Sequence, residues 1–217
     1  MGLFDRFRGR KAEPAATTFL NLDTASYSDL MMHLKVQLFS PRSRGFLPLV
    51  NREALITRDV AGDLVAMVML DFGSHEQTLP AATAERWGKS HDELYETALI
   101  NTLAMERIEP REVDLGGVPA VMLLGNGSFV APFMLDIGTF AGHPPNGVIV
   151  SAPNWHAILF HPVSGRESAL ALPNFRRLTA RLHDYTDPLS ADVFWWHGKR
   201  LERLGDTLPP ALAAACA

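Results

Sequence analysis

Apolar positions along this chain alternate between two periods, and the changes of period outline its elements. In "SYSDLMMHLKVQLF", residues 26–39, Leu30, Leu34 and Leu38 recur every fourth residue with Met31 beside them, which predicts one helical face. Ser26 or Ser28 can cap its start by accepting main-chain N–H groups, and Pro41 ends it. The runs "GFLPLV", "ALITRDV" and "DLVAMVMLDF" read as short strands separated by polar residues and Gly62. Residues 64–70 do not alternate, which predicts a central strand buried on both faces. Gly62-Asp63 suits a tight connection before it.

The best-formed local signal is "AERWGKSHDELYETALINTLAM", residues 84–105. Ser90 and Glu93 have the S-x-x-E spacing of a capping box, in which each side chain accepts the other's main-chain N–H. Asp92 and Glu93 also lie at the positive end of the helix dipole. Leu94, Tyr95, Ala98, Leu99, Thr102 and Leu103 share one face of a helix running to about Arg107, ahead of Pro110. Gly88 is expected to end a short preceding helix, "AATAERW", in a left-handed conformation, with Trp87 plugging the junction. This stretch is read as scaffold.

In "VPAVMLLGNGSFVAPFML" two apolar runs flank Asn126-Gly127, a pair that favours the positive φ angles of a type I′ turn and so predicts a hairpin. A second β pair is expected from "GVIVSAP" and "NWHAILFHPV". Residues 173–185 are read as a helix with Pro173 in its first turn and Phe175, Leu178, Leu182 and Tyr185 on one stripe. "DVFWWHGKRLERL" predicts a hairpin turning at His197-Gly198. Strand runs joined by short turns, with helices between them rather than in βαβ alternation, predict an α+β fold. It is a single domain at residues 25–205, a mostly antiparallel sheet of hairpins with about three main helices packed on it. Residues 1–24 are expected to be a flexible basic leader and linker, and residues 206–217 a loosely ordered tail.

Composition adds mainly exclusions. Of 217 residues, 47% are apolar and 20% charged, enough for a sizeable core. A net charge of −4 gives no global field toward nucleic acid. The one cysteine, Cys216, makes no internal disulfide or CxxC pair. "MGLFDRFRGRK" lacks the apolar core of a signal peptide, and no apolar run reaches the roughly 20 residues of a membrane-spanning helix. A soluble, cytoplasmic protein is expected. Leu3, Phe4 and Phe7 beside Arg6, Arg8, Arg10 and Lys11 leave a weak peripheral membrane contact open.

Motifs of chemistry are sparse. Phosphate-binding G-x-x-x-x-G-K-[ST], dinucleotide-binding G-x-G-x-x-G and hydrolase G-x-S-x-G patterns are all missing. The histidines lack metal-ligand spacing, so no metal and no cofactor are expected. Ser151, His156 and Asp136 could form a Ser-His-Asp set only if the fold converged them. Two aromatic clusters are the binding candidates. Asn154, Trp155 and His156 fall at a turn after a strand, where polar groups beside a ring make a binding surface. Trp195 and Trp196 lie on opposite strand faces, one expected in the core and the other more exposed.

The order W-G, then S-x-x-E-L-x-x-x-A-L-x-N, then a hairpin, then a strand ending V-S-A-P-N resembles the bacterial family called domain of unknown function 1444 over roughly residues 45–205. The resemblance implies an uncharacterised cytoplasmic α+β protein and brings no activity and no catalytic residues. The chain departs from it at Trp155-His156, where a charged residue is expected. The leading expectation is a non-catalytic binding or interaction protein with a protein or small-molecule partner. The alternatives are a hydrolase-like enzyme using groups near Ser151 and His156, and a peripheral membrane protein.

Overall fold

The computed structural model describes residues 21–41, 52–185 and 187–217. The expectations for the basic leader up to residue 20 and for "GFLPLV" lie outside the described residues. Helix α1 (Tyr27–Leu30) is one turn, capped reciprocally by Ser26 and Asp29. After a 3₁₀ turn at Met31–His33 the chain extends as β1 (Leu34–Phe39). This corrects the helix expected over residues 26–39. A spacing of four is also a multiple of the strand period of two, so leucines at 34 and 38 fit both elements. Leu34, Val36 and Leu38 enter the core, while Lys35 and Gln37, also buried, take the opposite face.

Strand β3 (Val65–Asp71) lies at the centre of the first sheet, buried on both faces as its unbroken apolar run requires. It has β1 along one edge, and β2 (Thr57–Asp59) and β4 (Glu76–Thr78) along the other, all antiparallel. Gly62, at φ 60°, closes the β2–β3 turn. Helices α2 (Ala81–Arg86) and α3 (His91–Met105) follow, with Gly88 between them at φ 64°. Ser90 and Glu93 form the reciprocal cap of α3, which buries Leu94, Tyr95, Ala98 and Thr102. Trp87 is half-buried; its Nε1–H donates to the Ala25 carbonyl at 2.9 Å and its ring meets Tyr27 edge-on.

The second sheet contains β5 (Glu109–Asp114), β6 (Pro119–Leu124), β7 (Val148–Asn154), β8 (Ala157–Pro162), β9 (Phe194–His197) and β10 (Arg200–Arg203). Its order is β10-β9-β7-β8-β6-β5, antiparallel throughout. Asn126-Gly127 closes no hairpin, contrary to expectation. Strand β6 folds back on β5 before it, through Gly116 and Gly117 at φ 82° and 90°. Beyond β6 the chain enters a 3₁₀ segment, Ala131–Asp136, and α4 (Ile137–Phe140); Pro132 has no N–H to give a ladder. Helix α5 (Arg166–His183) begins earlier than expected, so Pro173 is internal and leaves the Ala169 carbonyl without its helical donor. The last hairpin turns at Gly198-Lys199, both at positive φ, one residue beyond the predicted pair.

Two cores share the second sheet. The first lies between the sheets and contains Val36 and Val68, α3, Phe133 and Met134, and from the second sheet Val148, Val150, Phe194 and Trp196. The second lies under α5 and contains Ile149, Leu159, Phe175, Leu182 and Trp195. The expected loose tail is corrected here: it forms α6 (Pro210–Ala215), which buries Leu212 and the adjoining Cys216 in that core.

Candidate functional site

The β7–β8 turn carries Asn154, Trp155 and His156. Asn154 is buried; its Oδ1 accepts the His156 N–H at 3.0 Å and its Nδ2 donates to the Leu182 carbonyl at 3.2 Å. Trp155 donates from Nε1 to the Leu38 carbonyl at 3.0 Å and meets Phe39 edge-on, centroids 6.0 Å apart. It therefore joins one sheet to the other. His156 donates from Nδ1 to the Gly127 carbonyl at 2.9 Å and holds Nε2 3.3 Å from the Asp187 carboxylate. All three side chains are engaged in the scaffold.

Neither indole of the 195–196 pair is exposed, which corrects the expectation for one of them. Trp195 is 6% and Trp196 5% accessible, on opposite faces of β9 and in different cores. Their Nε1–H groups donate to Asn146 and Leu135 carbonyls at 3.0 and 3.4 Å.

Ser151, His156 and Asp136 are not brought together. The Ser151 hydroxyl is buried 2.9 Å from that of Thr179. Thr179 donates to the Phe175 carbonyl, so Ser151 donates to Thr179. Asp136 accepts from Thr139 at 2.8 Å. A serine–histidine pair does occur elsewhere. His161 Nε2 lies 2.9 Å from Ser168 Oγ, and its Nδ1 donates to the Pro119 carbonyl at 2.8 Å. Ser168 Oγ also accepts the Ser164 N–H. Both residues are buried, so the pair meets no substrate and instead fastens the start of α5.

Sequence reasoning missed a polar cluster on the outer face of the first sheet. Lys35, almost fully buried, places Nζ 3.3 Å from Glu106 Oε1, and Gln37 is buried beside it. Phe129 covers the sheet here, its centroid 5.9 Å from Lys35 Nζ. The Glu76 carboxyl is held above the usual carboxylate range chiefly by lost hydration, against the lowering hydrogen bonds of Ser128 and Gln37. The detectable signal was polar residues at 35 and 37 between apolar 34, 36 and 38, a strand alternation. Glu106 neutralises Lys35, so the cluster presents an ion pair and not a free nucleophile. Among the described residues no group of three or more His, Cys, Asp or Glu side chains is placed to hold a metal.

A cleft of about 580 Å³ lies where the two sheets approach each other. Arg58, Asp59 and Val60 from β2 and its turn form one wall; Lys199, Arg200 and Leu201 form the other; Tyr95, Leu99 and Leu135 also line it. Arg58 stacks on Tyr95, Cζ 3.9 Å from the ring centroid, and pairs with Asp92 at 2.5 Å. Asp59 pairs with Arg52 at 2.7 Å. Burial raises the Tyr95 hydroxyl above its ordinary pKa, and the Arg58 charge opposes this. Lys199 and Arg200 have no acidic partner among the described residues. The lining thus combines two uncompensated cations with apolar surface, a composition that can hold an anion carrying an apolar body.

No protein-family model, no curated protein and no solved structure matches this chain. Among the described residues no helix is long and apolar enough to cross a membrane.

Proposed function

We propose that this protein is a non-catalytic binding protein whose ligand site is the cleft between β2 and the β9–β10 hairpin. The observation that carries this reading is the pair Lys199 and Arg200, without acidic partners among the described residues, lining a cleft with Tyr95, Leu99, Leu135 and Leu201. In a chain of net charge −4, two adjacent uncompensated cations mark a local preference for anions. The lining supplies no paired nucleophile and base, so the chemistry it supports is recognition. The resemblance to the domain of unknown function 1444 adds no activity to this site. A cytoplasmic setting goes with the proposal, the one thiol being free.

The test uses 8-anilinonaphthalene-1-sulfonate, an anion with an aromatic body, titrated against the folded protein. Saturable binding is expected, weakened at least tenfold in a K199E/R200E variant whose melting temperature is unchanged. Equal binding by the variant, or no saturable binding by the parent chain, overturns the proposal.

A further inference from the structure

The free strand edges of this fold are treated in different ways. Side chains take several of the outward groups of β1: Asn101 Nδ2 donates to the Leu34 carbonyl at 3.1 Å, and the Val36 N–H donates to Thr102 Oγ1 at 2.8 Å. Trp155 covers the Leu38 carbonyl. At the far edge of the second sheet, β5 carries Pro110, which cannot donate to an added strand. Among the described residues neither device occurs on β2 or β10.

The direction of the open groups follows from the ladder. Val68 N–H donates to the Ile56 carbonyl and Val60 N–H to that of Leu64, so even-numbered residues face β3. Thr57 and Asp59 therefore turn their N–H and C=O groups away from it. Likewise Leu204 N–H donates to Val193, so Leu201 and Arg203 turn theirs away from β9. Asp59 and Leu201 both line the cleft. At one end of the cleft the turn after β2 approaches the Arg203 side chain, where an added Cβ on Gly62 would stand 3.2 Å from Arg203 Cδ. An edge of each sheet thus borders one cleft.

We propose that the cleft takes an extended acidic peptide segment as an added strand between β2 and β10, a step that rests on the cleft being the ligand site. Main-chain bonds to the open groups of Asp59 and Leu201 would hold it. Strand alternation would send its apolar side chains toward Tyr95, Leu99 and Leu135 and its carboxylates toward Lys199 and Arg200. The occupant is acidic because the uncompensated charges are cationic. It is extended because both walls offer strand edges. The edges are short, so charge carries much of the affinity and salt weakens it.

The probe is acetyl-(Val-Glu)₄-amide, titrated calorimetrically into the full chain beside two analogues, one N-methylated at every Val and one at every Glu. The unmodified peptide is expected to bind, each N-methylated peptide at least tenfold more weakly, and a (Val-Lys)₄ peptide not at all. Equal binding by all three acidic peptides overturns strand addition while leaving the anionic cleft standing. So does saturable binding of the sulfonate dye without binding of any peptide. Failure of dye and peptides alike overturns the strand and the cleft together.

Discussion

The hydroxyl of Thr102 accepts the main-chain N–H of Val36 at 2.8 Å and donates to the Ala98 carbonyl at 2.8 Å. Both residues are fully buried. Val36 lies on an edge strand, where its N–H has no neighbouring strand to bond, and a buried N–H without a partner is costly. Helix α3 supplies that partner from a position its own backbone ladder leaves free. The same helix provides Asn101 for the Leu34 carbonyl, so α3 both covers the first sheet and closes its edge.

Thr102→Val removes the acceptor while keeping the shape. It is expected to lower the unfolding free energy by about 1–3 kcal/mol, the cost of stranding a buried donor. Urea unfolding should show a lower midpoint with an unchanged slope. Amide exchange at Val36 should speed up in the variant. An unaltered midpoint would show that another group satisfies Val36.

Trp155 bonds Leu38 across 117 positions of sequence, and its role here is structural. Trp155→Phe keeps most of the packing on Phe39 and loses the Nε1–H. A loss of about 1 kcal/mol is expected from chemical denaturation. Dye affinity at the cleft should not change. A large drop in affinity with unchanged stability would restore Trp155 as a binding residue.

These two contacts show where sequence reading succeeds and stops. The cap of α3, the left-handed Gly88, the buried β3 and the Gly62 turn are local, and their residue types declare them. Leu34 and Leu38 misled because their spacing serves both periods. Lys35 and Gln37, which separate the alternatives, are polar yet buried, and nothing local announces Glu106 or Phe129 above them. Asn126-Gly127 has the right turn chemistry, but β6 had already paired through Gly116-Gly117. Trp155, Trp195 and Trp196 stand out in the sequence as aromatic, but their indole N–H groups bond distant carbonyls. The cleft is assembled from β2, α3 and the β9–β10 hairpin, far apart in the chain, so no motif could display it.

Glu76 and Glu93 should respond to pH in opposite senses. Burial raises the Glu76 carboxyl above its ordinary value, so its stabilising contribution is present below the unfolded-state pKa and lost as pH rises through the folded one. Glu93 is lowered, first by the Ser90 main-chain N–H and then by the Ser90 and Lys89 side chains. Its contribution is present above the unfolded-state pKa and lost as pH falls through the folded one. Glu76→Gln should therefore be more stable than the parent at pH 7, with the gain vanishing in acid. Glu93→Gln should be less stable at pH 7 and converge with the parent in acid. Denaturant midpoints between pH 3 and 7 read both, and the same sign of pH dependence in the two variants contradicts the assignment.

Gly138, in α4, is required by space. An added Cβ would fall within the benzo half of the Trp196 indole, 2.7 Å from Cζ2 and closer to its neighbours. The backbone there has no positive φ, so strain in the turn does not contribute. Trp196 cannot retreat easily, because it is buried in the first core and its Nε1–H holds the Leu135 carbonyl. Gly138→Ala is expected to cost about 1–3 kcal/mol or more by overpacking. Trp196→Phe alone should also destabilise, through the volume it vacates. Together the two changes relieve each other, since Phe withdraws the ring atoms that the new methyl would strike. A double-mutant cycle should show a coupling of at least about 0.5 kcal/mol in the relieving direction. Strict additivity would mean that the methyl finds room by moving α4, and that the contact with Trp196 does not fix this helix against the second sheet.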